Sequence, residues 1–246
     1  MKSKFLTIMV LTIVVVSFSA CEKDQENENR DLSYATITDS ANKVLTTDVD
    51  GVHLNVEENA TVVGDWTNGR RVIIDYTKVR EDANASVYKV IYIKVNGVYS
   101  ILTKNPIKLS FLNSTTRVDS IGHDPINLHD VWFANSYINI NFGLYRNDPG
   151  IRHFINLVVD DSKTTSDDAY IELRHNAYFD LQSVSTWGNV SFKISDLIVS
   201  PKTSIKLHLS RLTYSGEVKT DTMTYNANVS SIAPLASFTR SLVQLQ

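Results

Sequence analysis

His153 and His175 are the two side chains whose types and spacing come nearest to a reactive pair. They lie in the runs IRHFINLVV (151–159) and AYIELRH (169–175), and each run keeps its histidine on the parity of its apolar residues, as a strand with one buried face does. If the intervening loop, 160–168, is centred on Thr164, the two histidines are equidistant from that centre and face each other across an antiparallel ladder, on the inward face. Two imidazoles are an incomplete zinc site, because stable sites take three or four ligands and the chain has neither an HExxH motif nor a cysteine partner. The favoured reading is structural, with each ring bonded to a neighbouring side chain or backbone group.

The other constellations are weaker. GHDPINLHD holds His123, Asp124, His129 and Asp130 in an expected interdomain loop. A carboxylate beside histidine can orient its ring for acid–base work, but Asp124 before Pro125 is also a turn-forming dipeptide and Asp130 can brace the next strand. There is no GxSxG elbow, and the lone SxxK match, Ser40 to Lys43, lacks its companion motifs. The acidic pairs Glu57-Glu58, Asp160-Asp161 and Asp167-Asp168 do not converge, because adjacent acids on a strand point to opposite faces. No catalytic residue and no cofactor is assigned. Trp66, between GD and TNG in an expected loop, is the best candidate for an exposed ligand contact, whereas Trp132 and Trp187 are expected to pack within or between domains.

The single cysteine, Cys21, follows Lys2 and Lys4, an apolar stretch from Phe5 to Phe18, and the small residues Ser19 and Ala20. That is the layout of a signal peptide over 1–20, and its apolar stretch is shorter than the roughly 20 residues a membrane-spanning helix needs. FSAC resembles the lipobox of bacterial lipoproteins, which implies that Cys21 is acylated and holds the protein on a membrane. No disulfide is then available, so stability must come from packing. Residues 21–33 are acidic and almost without apolar side chains, and read as a solvated tether. Its start, EKDQE, resembles the export signal of surface lipoproteins of the Bacteroidetes, which implies an outer-membrane, cell-surface address, with a periplasm-facing one as the alternative. DSA, DSI and DTM resemble the O-glycosylation sequon of the same group's envelope proteins, which makes Ser40, Ser120 and Thr222 candidate acceptors.

Charge narrows the partners. The chain has 24 Lys and Arg against 27 Asp and Glu, and loses two lysines with the signal peptide. Neither half carries the basic stripe that nucleic-acid binding requires.

Everything after the tether alternates with period two. Val72, Ile74 and Tyr76 share a parity, as do Ile138, Ile140, Phe142 and Leu144, and no run long enough for a major helix shows a clean 3.6 period. Asn68-Gly69 and Asn96-Gly97 read as tight turns, and NDPG at 147–150 as another. The reading is all-β with two domains, 34–118 and 119–246, the second having the strand number of a two-sheet sandwich.

Six segments carry a resemblance to the NigD-like lipoproteins of the Bacteroidetes: NGRRVIIDY, YSILTK, GHDPINLHDVWF, YINI, RHFINLVVD and ELRHNAYFD. That resemblance implies an N-terminal OB-like barrel followed by a C-terminal immunoglobulin-like β-sandwich, and a proposed link to bacteriocin immunity, but brings no catalytic residues. The expectation is a lipid-anchored binding module for an extracellular or envelope protein or glycan. The alternative is an envelope hydrolase with a site between the domains.

Overall fold

The computed structural model describes residues 29–49, 51–58, 66–85, 88–194 and 204–226. Cys21 and most of the tether lie outside them. Strands β1 (Arg30–Asp39), β2 (Val44–Thr47), β3 (His53–Glu58), β4 (Arg71–Glu81) and β5 (Val90–Ser100) close a barrel in the order β1-β2-β3-β5-β4. Five strands is the count of an OB-type barrel. The expected parity fills its interior: Val72, Ile74 and Tyr76 pack with Ala35, Leu54 and Ile93. On β4 the opposite parity is buried as well, because Ile73 leaves the barrel to pack with Tyr34, Ile101 and Trp132 against the second unit.

That unit is a sandwich. Its strands are β6 (Leu102–Lys104), β7 (Ile107–Lys108), β8 (Asn127–Ala134), β9 (Tyr137–Arg146), β10 (Phe154–Val159), β11 (Asp168–Asn176), β12 (Val184–Lys193), β13 (Ser204–Leu212) and β14 (Val218–Asn226). One sheet runs β14-β13-β11-β10-β7 and the other β6-β12-β9-β8. Ile138, Ile140, Phe142 and Leu144 fill the space between them together with Leu157 and Leu173, on the parities that the alternation gives. The β7–β10, β6–β12 and β11–β13 pairings are parallel, a difference of detail from the antiparallel sheets of an immunoglobulin domain. The one α-helix among the described residues, α1 (Thr115–Ile121), starts at Ser114, whose hydroxyl accepts from the Arg117 amide.

Three boundaries differ from the sequence reading. Strand β1 begins at Arg30, inside the expected tether, because residues 30–33 pair with 74–77 of β4 and Arg30 forks onto Asp75 at 2.5 and 2.9 Å. The barrel ends at Ser100 rather than residue 118, because β6 and β7 each join a sandwich sheet; at three and two residues they are too short to show a period. Asn96-Gly97 is no turn. Strand β5 runs through it with a bulge at Asn96, whose amide donates to Asp75 and Thr77. Asn68-Gly69 does turn, with Gly69 at φ 81° and the Arg70 amide bonded to the Thr67 carbonyl.

A buried ionic network joins barrel to sandwich. The Arg71 and Asp48 side chains are fully buried and paired at 2.5 and 2.6 Å. Asp48 also accepts from Trp132 Nε1 (2.7 Å) and Asn135 Nδ2 (3.3 Å). Arg71 in turn donates to Thr36 Oγ1 (2.9 Å) and Asn139 Oδ1 (3.1 Å). Every polar group the pair faces is satisfied, the condition under which an ion pair tolerates leaving water.

Candidate functional site

The histidines meet, though in a different register from the one expected. Strand β10 pairs with β11 so that Ile155, not His153, lies opposite His175. The hairpin is centred one residue later than Thr164, because the loop is asymmetric: the amides of Lys163 and Thr164 bond back to Asp160, and that of Thr165 to Asp168. His153 therefore approaches His175 diagonally, with Nδ1 and Nε2 2.8 Å apart and the rings stacked at 5.0 Å. Both are at most 1% exposed.

Counting hydrogens fixes the roles. His175 Nδ1 is 2.9 Å from the Pro125 carbonyl, which only accepts, so this nitrogen carries its proton. Burial lowers the His175 pKa to about 4, so near neutrality its Nε2 is unprotonated and accepts a hydrogen bond from His153 Nδ1. His153 Nε2 lies 3.1 Å from Asp180 Oδ2, so His175, His153 and Asp180 form one buried chain of hydrogen bonds. Burial pushes the Asp180 pKa up, but the amides of Asn147 and Asp148 at 2.9 and 3.0 Å, with His153, bring it below the ordinary carboxylate value.

This buried relay anchors a loop. The Asp180 carboxylate is drawn inward, its amide bonds the Ala177 carbonyl at 3.0 Å, and the Ala177 amide is held at 2.7 Å by Asp124. With both ends fixed, Tyr178 and Phe179 are forced outward in left-handed conformation, at φ 50° and 64°. Such angles are costly for side chains with a Cβ and persist where the surroundings over-determine them. Phe179 is 101% exposed and Leu181 67% exposed, with Val184 and Tyr145 exposed nearby. Asp180 is the one charged residue between 177 and 184, so the outer face is uncharged, with Gln182 and Ser183 beside the exposed Phe179, Leu181 and Val184. A cavity of about 110 Å³ lies under the loop, lined by Asp124, Tyr145, His175, Asp180 and Tyr214 among others, well below the roughly 300 Å³ of a small-molecule site.

The remaining sequence candidates disperse. His123 pairs with Glu172 at 2.8 Å and Asp124 braces the loop, whereas His129, on β8, packs over Gly143 of β9. Trp66 is half-buried and packs against the barrel core, so it is less exposed than expected. Ser40 is half-buried beside the β1–β2 turn, Ser120 is exposed on α1 and Thr222 is exposed on β14. Among the described residues no three His, Cys, Asp or Glu side chains group as a metal site. Sequence reasoning missed Tyr178, Phe179 and Leu181. Their one signal is an aromatic pair in a short segment without alternation.

Comparison with known proteins places this geometry. Residues 108–225 match the model of the NigD-like C-terminal beta sandwich domain. A structure from Parabacteroides distasonis described as a "Putative TOXIN related protein" is 26% identical, with a TM-score of 0.67 over 81% of this chain and 94% of that one. A protein of unknown function from Bacteroides vulgatus is 24% identical, with a TM-score of 0.64 over 88% and 100% of the two chains. A NigD-like immunity protein from Bacteroides caccae is 20% identical, with a TM-score of 0.59 over 80% and 96%, and shares the fold. No curated protein matches the chain. The sandwich of this chain, the part that builds the relay and its loop, belongs to the NigD-like C-terminal domain family.

Proposed function

We propose that this chain is a lipid-anchored envelope protein working as a binding module, and that it engages a protein partner through the apolar loop 177–184. The observation that carries the reading is Phe179: fully exposed, in a strained conformation, and held there by a buried His–His–Asp relay. A rigid aromatic displayed at the surface suits insertion into a shaped apolar pocket, because its conformational cost is met before binding. The relay's polar atoms are spent on one another and on the loop, which leaves nothing poised for hydrolysis. The immunity protein among the structural neighbours makes an incoming bacteriocin one partner of this kind.

Acylation of Cys21 supplies the anchor and the acidic tether the distance from the membrane. Two experiments test the proposal. In Cys21→Ala the protein should leave the membrane fraction, and retention there would refute the anchor. Protease added to intact cells should remove the full-length protein while a periplasmic control survives; protection would refute the surface address.

A further inference from the structure

A cavity of about 650 Å³ lies where barrel meets sandwich, apart from the loop just described. It is walled by the turn before β4, the end of β5, the edge strand β6 and the ends of β9 and β12. Its volume falls in the range of small-molecule sites. Arg70, Lys104 and Lys193 line it, and no carboxylate and no imidazole does among the described residues. That sign is opposite to the chain's net charge of −3. A concave surface of one sign between low-dielectric walls concentrates its field and draws in opposite charge.

The rest of the lining mixes amides and hydroxyls with Ile73, Ile101 and Leu102 and the aromatics Tyr99 and Tyr137. Tyr99 is 40% exposed and Asn105 is exposed. Asn189 is 6% exposed; its Oδ1 accepts from Tyr34 and Asn141, while its buried Nδ2 has no partner. A buried donor left unsatisfied is costly, so an acceptor brought to Nδ2 would be favoured. Lys104 is held at the cleft wall by the Ile155 carbonyl (3.1 Å) and Asn156 Oδ1 (2.6 Å), and burial holds its pKa below the ordinary lysine value.

We infer that this cleft is a binding site for a short acidic oligosaccharide. The cations take carboxylate or sulfate groups, the amides and hydroxyls take ring hydroxyls, and the Tyr99 ring offers a stacking face. A nucleotide fits less well, since no glycine-rich phosphate cradle or helix N-terminus lines the cleft.

The test is calorimetric titration of the full acylated chain in detergent with tetragalacturonate and with a chondroitin sulfate hexasaccharide, using cellotetraose as the neutral control and hexaglutamate as the acidic peptide. At least one acidic saccharide should bind, more weakly as salt is raised, while cellotetraose gives no heat. The Lys193 side chain is exposed and makes no hydrogen bond or ion pair among the described residues, so Lys193→Glu should weaken binding at least tenfold with an unchanged melting temperature. Tyr99→Ala should weaken it too. Three results would overturn the assignment: neither acidic saccharide binding, binding indifferent to Lys193→Glu, or hexaglutamate binding as tightly as the saccharides.

Discussion

Asp48→Ala should cost this protein more than any substitution on its surface. The change removes a carboxylate that accepts from both terminal nitrogens of Arg71, from Trp132 Nε1 and from Asn135. It leaves a guanidinium with 0% side-chain exposure and no counter-ion, and an indole N–H with no acceptor. Breaking a buried pair from one side costs about 3–5 kcal/mol. For a domain of this size each kcal/mol is worth about 2–4 °C, so the melting temperature should fall by roughly 6–20 °C. Barrel and sandwich share the network, so both should unfold together, in one calorimetric transition in the parent protein. The companion variant Asp48→Leu/Arg71→Met removes both charges and should recover part of the loss, because an apolar pair has no ion to desolvate while the Trp132 N–H still lacks its acceptor. Scanning calorimetry of the three proteins decides it. A drop under about 2 °C for Asp48→Ala, or a double variant at least as unstable as the single one, would refute the reasoning.

Further outcomes follow from other sites. His175 titrates near 4 when folded and near 6.5 when unfolded, so between these pH values the unfolded chain binds a proton that the folded chain refuses. Stability is therefore complete above about pH 6.5 and falls by about 3 kcal/mol as pH drops to 4; NMR titration of the His175 ring should show no protonation at pH 5.5. Gly122 sits at φ 71°, where an added Cβ would come within 2.5 Å of Asn176 Cβ and 2.7 Å of the His175 carbonyl. Gly122→Ala should cost about 2–4 kcal/mol in denaturant unfolding, since backbone atoms cannot give way. Phe179→Gly relieves a left-handed side chain that packs on nothing, and should leave stability within about 1 kcal/mol of the parent or raise it, by thermal melt.

Much of the framework was legible because alternation survives wherever one face of a strand is buried. Ile138, Ile140, Phe142 and Leu144 read correctly for that reason. Alternation is lost on β4, where the sandwich covers the outside of the barrel and Arg71 and Ile73 are buried beside Val72 and Ile74. Asn96-Gly97 misled because the pair suits a bulge as well as a turn, and only the cross-strand register distinguishes them. The histidine pair was visible by parity, but its register depended on how an eight-residue loop folds back on Asp160. The network at Asp48 and the relay at Asp180 were invisible. The partners of Asp48 are 23 to 87 residues from it, the members of the relay and its loop amides are 22 to 33 apart, and one buried carboxylate looks like any other in a sequence.

The central claim is that loop 177–184 is the face this protein offers to a partner. The most direct test places a photo-crosslinking amino acid at Phe179 in cells that make the protein natively, and at Tyr170, on a different strand, as the comparison. The account predicts one discrete protein adduct from position 179 and none from position 170, with the adduct lost when Leu181 is changed to Ser in a protein of unchanged melting temperature. The same adducts from both positions, or no adduct from position 179, would contradict it.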